Sequence, residues 1–150
     1  RLFNKTSNPK EALFYSKLAI LELGGWIEES MDDIVKNCGN RKLRNSNNIV
    51  FLEKDIIKKV HGFDYNNNFR KMLMQVIGLI MLETIESKVD QTKLQHMQVA
   101  LNALKSQRDP VAHTHIKGVT IRIDAPSVTK QRFMDVYEGL KSFEHELKRL

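Results

Sequence analysis

Six consecutive residues hold most of the chemistry this chain offers: Arg108, Asp109, Pro110, Val111, Ala112 and His113. A permanent cation and an imidazole stand five positions apart, with a carboxylate beside the cation. Arginine suits phosphate because its planar fork donates two hydrogen bonds and stays charged. Histidine suits proton transfer because its pKa lies near neutrality. The pair fits metal-free cleavage of RNA, which carries its own nucleophile, the 2′-hydroxyl. Such a cleavage needs a base for that proton, a cation for charge developing on the phosphorane, and an acid for the departing 5′-oxygen. One histidine cannot hold two protonation states at once. A second can come from His115 or from another chain. Two copies of the stretch facing across a dimer axis would supply two histidines and two arginines.

The elements that must position this stretch read as helices. Ser7 or Asn8 can cap a first helix, with Pro9 at its first position. Leu13, Phe14, Leu18, Leu21, Trp26, Ile27, Met31, Ile34 and Val35 recur at three- and four-residue steps, predicting one amphipathic helix to about Cys38. Gly24 and Gly25 predict a bend or a close contact within it. Gly39 is expected as its left-handed cap, followed by a polar, basic loop or disordered excursion through Asn48. A shorter helix is expected over 49–60, with Val50, Leu52, Ile56, Ile57 and Val60 apolar. His61-Gly62 should stop it. Asn66–Asn68 belong to a loop or lead into the next helix. Residues 69–89 are apolar nearly all round, which predicts the central buried helix, with its methionines as core filler.

Asp90 or Thr92 can cap a helix running to about Gln107, with Leu94, Met97, Val99, Ala100, Leu101, Ala103 and Leu104 on its apolar side. Pro110 disfavours helix at Asp109, so a break or turn is expected within the Arg108–His113 stretch. Residues 118–124 alternate and could form a short extended segment. A last helix begins near 125–127 and presents Phe133, Val136, Tyr137, Leu140, Phe143 and Leu147 on one face. The expectation is an all-α bundle of four to five helices with a long irregular connection before the last.

Composition narrows the classes. The 150 residues, 41% of them hydrophobic and periodically placed, make one domain and argue against disorder. The chain begins at Arg1, so a longer protein or a trimmed N-terminus is expected. No stretch is long and apolar enough to span a membrane, and one cysteine, Cys38, forms no internal disulfide, which fits a reducing cytoplasm. The net charge of +6 favours an anionic partner such as RNA, although solubility alone accounts for such a charge as well. Basic residues gather between Lys36 and Lys59, and Arg41, Lys42 and Arg44 join Lys117 as candidate RNA contacts. Five carboxylates and no lysine or arginine lie between Glu22 and Asp33. Of these, Glu28, Glu29, Asp32 and Asp33 read as a solvated or subunit-contacting face, with orientation of His113 as a lesser role.

Other sites weigh less. His113-x-His115 could pair on a metal only on a strand or suitable loop, and no cysteine or carboxylate set completes it, so no metal and no cofactor are expected. His61, His96 and His145 read as surface or packing residues, and Cys38 as a buried structural thiol. Phosphate-cradling glycine loops and the Gly-x-Ser-x-Gly nucleophile pattern are absent.

The run Leu104-Lys105-Ser106-Gln107-Arg108-Asp109-Pro110-Val111-Ala112-His113 resembles the signature of the HEPN superfamily: arginine, four to six residues, histidine, with a polar residue after the arginine and often alanine before the histidine. The 24–30 segment and the residues following His113 look like the RiboL-PSP-HEPN branch. The resemblance implies a dimeric, metal-independent endoribonuclease used in phage defence, toxin–antitoxin systems or RNA processing, with an antitoxin or a fused defence domain as further partner. It makes Arg108 and His113 the catalytic pair and Asp109 the polar helper. Where toxins paired with nucleotidyltransferases have tyrosine two residues after the histidine, this chain has His115. The alternatives are a non-catalytic dimerising or RNA- or nucleotide-binding domain, and a scaffold in which Arg108 and His113 cap helix ends.

Overall fold

The computed structural model describes residues 8–113 and 123–150, with the backbone alone at Pro110, Ala112 and His113. The fold is all-α. Its helices are α1 (Pro9–Lys42), α2 (Ser46–Phe51), α3 (Arg70–Ile77), α4 (Leu79–Lys88), α5 (Gln91–His113) and α6 (Pro126–Lys148), with π-wound turns at Leu52–Ile57 and Tyr65–Phe69. The alternating segment expected at 118–124 lies largely outside the described residues. No described helix is long and apolar enough to cross a membrane.

Three long helices carry the architecture. Trp26 meets Phe133 and Tyr137, and Arg41 reaches the Lys148 carbonyl, so α6 runs alongside α1 in the same direction. Arg108 lies against Gly24, and Lys93 pairs with Glu138, so α5 runs opposite to both. Ile27, Met31, Val35, Phe69, Leu73, Met97, Val136 and Phe143 fill the space between, each essentially without exposure.

Local chemistry fixes the ends. Asn8 caps α1 by accepting from the Lys10 N–H, Asn45 caps α2 through Asn47, and Asp90 caps α5 through Lys93. α1 runs past Cys38 to Lys42. Gly39 is not its cap: it sits inside the helix, where a Cβ would stand 2.5 Å from Leu52 Cδ2. The link expected through Asn48 shrinks accordingly to 43–45.

The expected helix over 69–89 is two helices. Gly78 adopts φ 77°, a left-handed conformation that suits glycine, and it separates α3 from α4. Leu79, Ile80 and Met81 are therefore exposed and not central, while Leu82 and Ile85 face the core. Arg70 at the start of α3 holds Glu86 of α4 through two contacts, Nε–Oε1 at 2.7 Å and Nη2–Oε2 at 3.2 Å, and the Tyr65 hydroxyl donates to the same carboxylate. This division accounts for six α-helices among the described residues where four or five were expected, and the helix expected over 49–60 is α2 continued by the π-wound turn at Leu52–Ile57.

The buried face of α1 differs from the expected one. Leu13, Phe14, Leu18 and Leu21 are exposed, and Ser16, Ile20, Leu23 and Gly24 face inward. The sequence holds two apolar stripes, and only the one through Ile20, Leu23, Ile27 and Met31 is in phase with the core. Val50 and Val99, expected inside, are exposed as well.

Candidate active site

The expected break at Pro110 does not occur, and α5 continues to His113. An interior proline removes the N–H that would reach the Ser106 carbonyl and crowds that carbonyl with its ring, yet the helix runs through it, and the preference against helix at the preceding residue is overcome. Arg108 and His113 thus belong to one helix, where a five-residue step moves the Cα by about 7.5 Å along the axis and about 140° around it. His115 and Lys117 lie outside the described residues.

Arg108 reaches across to α1. Its Nη1 donates to Glu28 Oε1, its Nε lies 3.6 Å from Asp109 Oδ1, and its guanidinium stands over the Phe63 ring at 4.7 Å. Among the described residues, the guanidinium has no hydrogen bond except that to Glu28. The side chains of Arg108 and Glu28 keep 26% and 33% of their exposure, so the cation is held yet open to an incoming anion. Gly24 makes this approach possible, because a Cβ there would lie 3.1 Å from both Arg108 Cδ and Phe63 Cε1. Gly25 beside it is open. The glycine pair thus serves a close contact at its first member. Gly24→Val should destabilise the fold by about 1–3 kcal/mol through crowding, whereas Gly25→Ala should gain up to about 1 kcal/mol from helix propensity. Thermal melts of the two variants check this, and equal shifts would contradict the contact.

Ion pairs tie the surrounding elements together. Lys105, one turn before Arg108, contacts Asp64 at 3.4 Å, and Asp64 caps the turn at Tyr65–Phe69. Gln107 and Arg132 both hold Asp124, which joins the end of α5 to the start of α6. The Gln107 amide and the Arg132 guanidinium keep the Asp124 carboxyl below its ordinary range despite its partial burial.

The acidic face of α1 is not simply solvated. Glu28 serves Arg108, and Asp32, one turn further on, is pushed up from 3.8 to about 6 by burial and by the charges of Glu28 and Asp33, with His61 partly offsetting this. The folded protein keeps the Asp32 proton to higher pH than the unfolded chain does. Its contribution to stability is therefore full below pH 3.8 and is lost as pH rises through about 6. Asp32→Asn should raise the melting temperature at pH 7.5 and leave it nearly unchanged at pH 3.5. An equal gain at both pH values would contradict this assignment.

The basic candidates sit elsewhere. Arg41 is 13 residues beyond Glu28 in sequence, which is about 20 Å along α1. Arg41 and Lys42 donate to the carbonyls of Lys148 and Leu150 at the end of α6, and Arg44 to the Leu43 carbonyl. Lys36 pairs with Glu53, and Lys59 with Asp55. Much of the local positive excess is thus spent on pairs and helix ends, and the fold does not bring Arg41, Lys42 or Arg44 to Arg108. A groove of about 540 Å³ between the C-terminal ends of α1 and α6, lined by Cys38, Asn40, Arg41 and Glu144, does not include Arg108. Burial pushes the Cys38 thiol up, which suits a structural role and not a nucleophile. Among the described residues, no cluster of histidine, cysteine or carboxylates could hold a metal ion.

In the sequence, Glu28 belongs to a carboxylate-rich face expected to be solvated or to contact a subunit, and Phe63 belongs to no motif. Glu28 was detectable only as a carboxylate near Gly24; Phe63 carried no signal, because its contact with Arg108 depends on how the 58–64 link folds back. Comparison with family models, curated proteins and solved structures gives no match.

Proposed function

We propose that this chain is a HEPN-type endoribonuclease that cleaves RNA without metal. The observation that carries the reading is the seating of Arg108: an arginine held by Glu28 and Phe63, partly open, with His113 five residues on in the same helix. The all-α bundle and the Arg-x4-His spacing support it.

In this mechanism a base removes the 2′-hydroxyl proton and the oxygen attacks the adjacent phosphorus. Arg108 stabilises the charge developing on the phosphorane. The P–O5′ bond breaks, and an acid protonates the departing 5′-oxygen, leaving a 2′,3′-cyclic phosphate and a 5′-hydroxyl. His113 is one proton carrier. The other is His113 of a second copy, which makes the working unit a homodimer, or His115 of the same chain. Phage defence or a toxin–antitoxin pair in the cytoplasm is the setting that the resemblance implies, with an antitoxin or fused defence domain as regulator.

The Arg108–Glu28 pair also favours a second reading, in which the arginine joins α5 to α1 in a non-catalytic RNA-binding or dimerising domain. Product chemistry decides between them. Single-stranded RNA incubated in EDTA should yield fragments whose 3′ ends resist polyadenylation until the cyclic phosphate is removed. Bound but intact RNA would favour the second reading.

A further inference from the structure

The outer side of α1 carries an apolar stripe that no described part of the chain covers. Phe14, Leu18 and Leu21 are 60%, 42% and 41% exposed, and Gly25 continues the line with open space around it. Their spacing is four, three, four, the alternation of a and d positions in a heptad. At 100° per residue they fall within a sector of about 60°, nearly opposite the buried Ile20, Leu23 and Ile27.

The charges beside the stripe favour one occupant. Lys17 flanks it on one side and Glu22 on the other, at the g position and the next e position of the same heptad frame. Neither has a hydrogen bond or ion pair among the described residues. In a parallel pairing of two such helices, opposite flanks meet, and g of one helix pairs with the following e of the other. Lys17 then faces Glu22 of a second copy, twice per dimer. An antiparallel pairing would bring like flanks together and lose both pairs. The surface is therefore complementary to itself under a two-fold axis parallel to the helix.

We infer that α1 pairs with α1 of a second copy in parallel, along Phe14, Leu18, Leu21 and Gly25, with Lys17 opposite Glu22 of the other chain. This rests on the dimeric reading given above and names its surface. Since α5 is seated on α1 at Gly24, the pairing places both copies of Arg108 at the same level along the dimer axis.

The test is sedimentation of the full chain at micromolar concentration, alongside exposed-site variants checked for unchanged helicity. Wild type should be dimeric. Leu18→Asp should be monomeric. Lys17→Glu and Glu22→Lys should each weaken the dimer by at least roughly tenfold, and the double swap should restore it. Leu18→Cys should cross-link to itself under mild oxidation. A monomeric wild type, a dimer indifferent to Lys17→Glu, or a double swap that fails to restore pairing would each overturn the proposal. RNA cleavage is read separately. A dimer with this charge dependence that cuts no RNA upholds the interface and refutes the ribonuclease reading. RNA cleavage by a protein whose assembly ignores these substitutions does the reverse.

Discussion

Arg108→Ala should lower the rate of RNA cleavage by roughly 10²- to 10³-fold, and His113→Ala by roughly 10²- to 10⁴-fold. The two losses differ in kind. Arg108 supplies charge to the phosphorane, so Arg108→Lys keeps the charge and should recover part of the rate, but not the fork geometry that Glu28 and Phe63 hold. His113 moves a proton, so its substitution should also flatten the pH–rate profile near neutrality. Arg108→Ala leaves Glu28, only one third exposed, without its partner, and a lower melting temperature is expected with it. Initial rates on single-stranded RNA, measured beside thermal melts, separate lost chemistry from lost structure. Equal cleavage by wild type and both variants would exclude the mechanism.

Phe143→Ala should destabilise the fold by about 3–5 kcal/mol, the largest effect expected from a single core truncation. Phe143 is fully buried in α6. Its ring meets Phe69 edge to face at 5.4 Å and Tyr65 at 5.9 Å, and so ties α6 to the turn before α3. Truncation removes a large apolar side chain and leaves a cavity among helices that are pinned at other points, including the Arg70–Glu86 pair, so collapse is incomplete. For a domain of this size the melting temperature should fall by roughly 10–15 °C. Chemical denaturation gives the direct measurement, and a loss below about 1 kcal/mol would show that Phe143 is not a central member of the core.

The helical class, the caps at Asn8 and Asp90, and the face of α6 were legible in the sequence because they depend on local spacing and local hydrogen bonds. Two features were not. The sequence of α1 carries two apolar stripes, and periodicity cannot tell which one the other helices cover; Ile20 and Leu23 face inward because α5 and α6 pack there. The passage of α5 through Pro110 was hidden for a similar reason. A proline argues locally for a break, while the contacts of Arg108 with Gly24, Glu28 and Phe63 hold the end of the helix against α1. At the site, the identity of Arg108 as a phosphate-binding candidate was readable from its type and from its distance to His113. Its partners on α1 and at Phe63 are distant in sequence and became visible only once the bundle formed. The basic residues Arg41, Lys42 and Arg44 show the reverse: their composition suggested RNA, and the fold sets them at the far end of α1, where they meet backbone carbonyls.

The most direct test of the account is the cleavage rate of single-stranded RNA in excess EDTA by the wild-type chain and by folded His113→Ala. The account predicts cleavage by the wild type, ends carrying 2′,3′-cyclic phosphate, and a rate for His113→Ala at least roughly 10²-fold lower. RNA left intact by the wild type, or cut equally fast by His113→Ala, would contradict it.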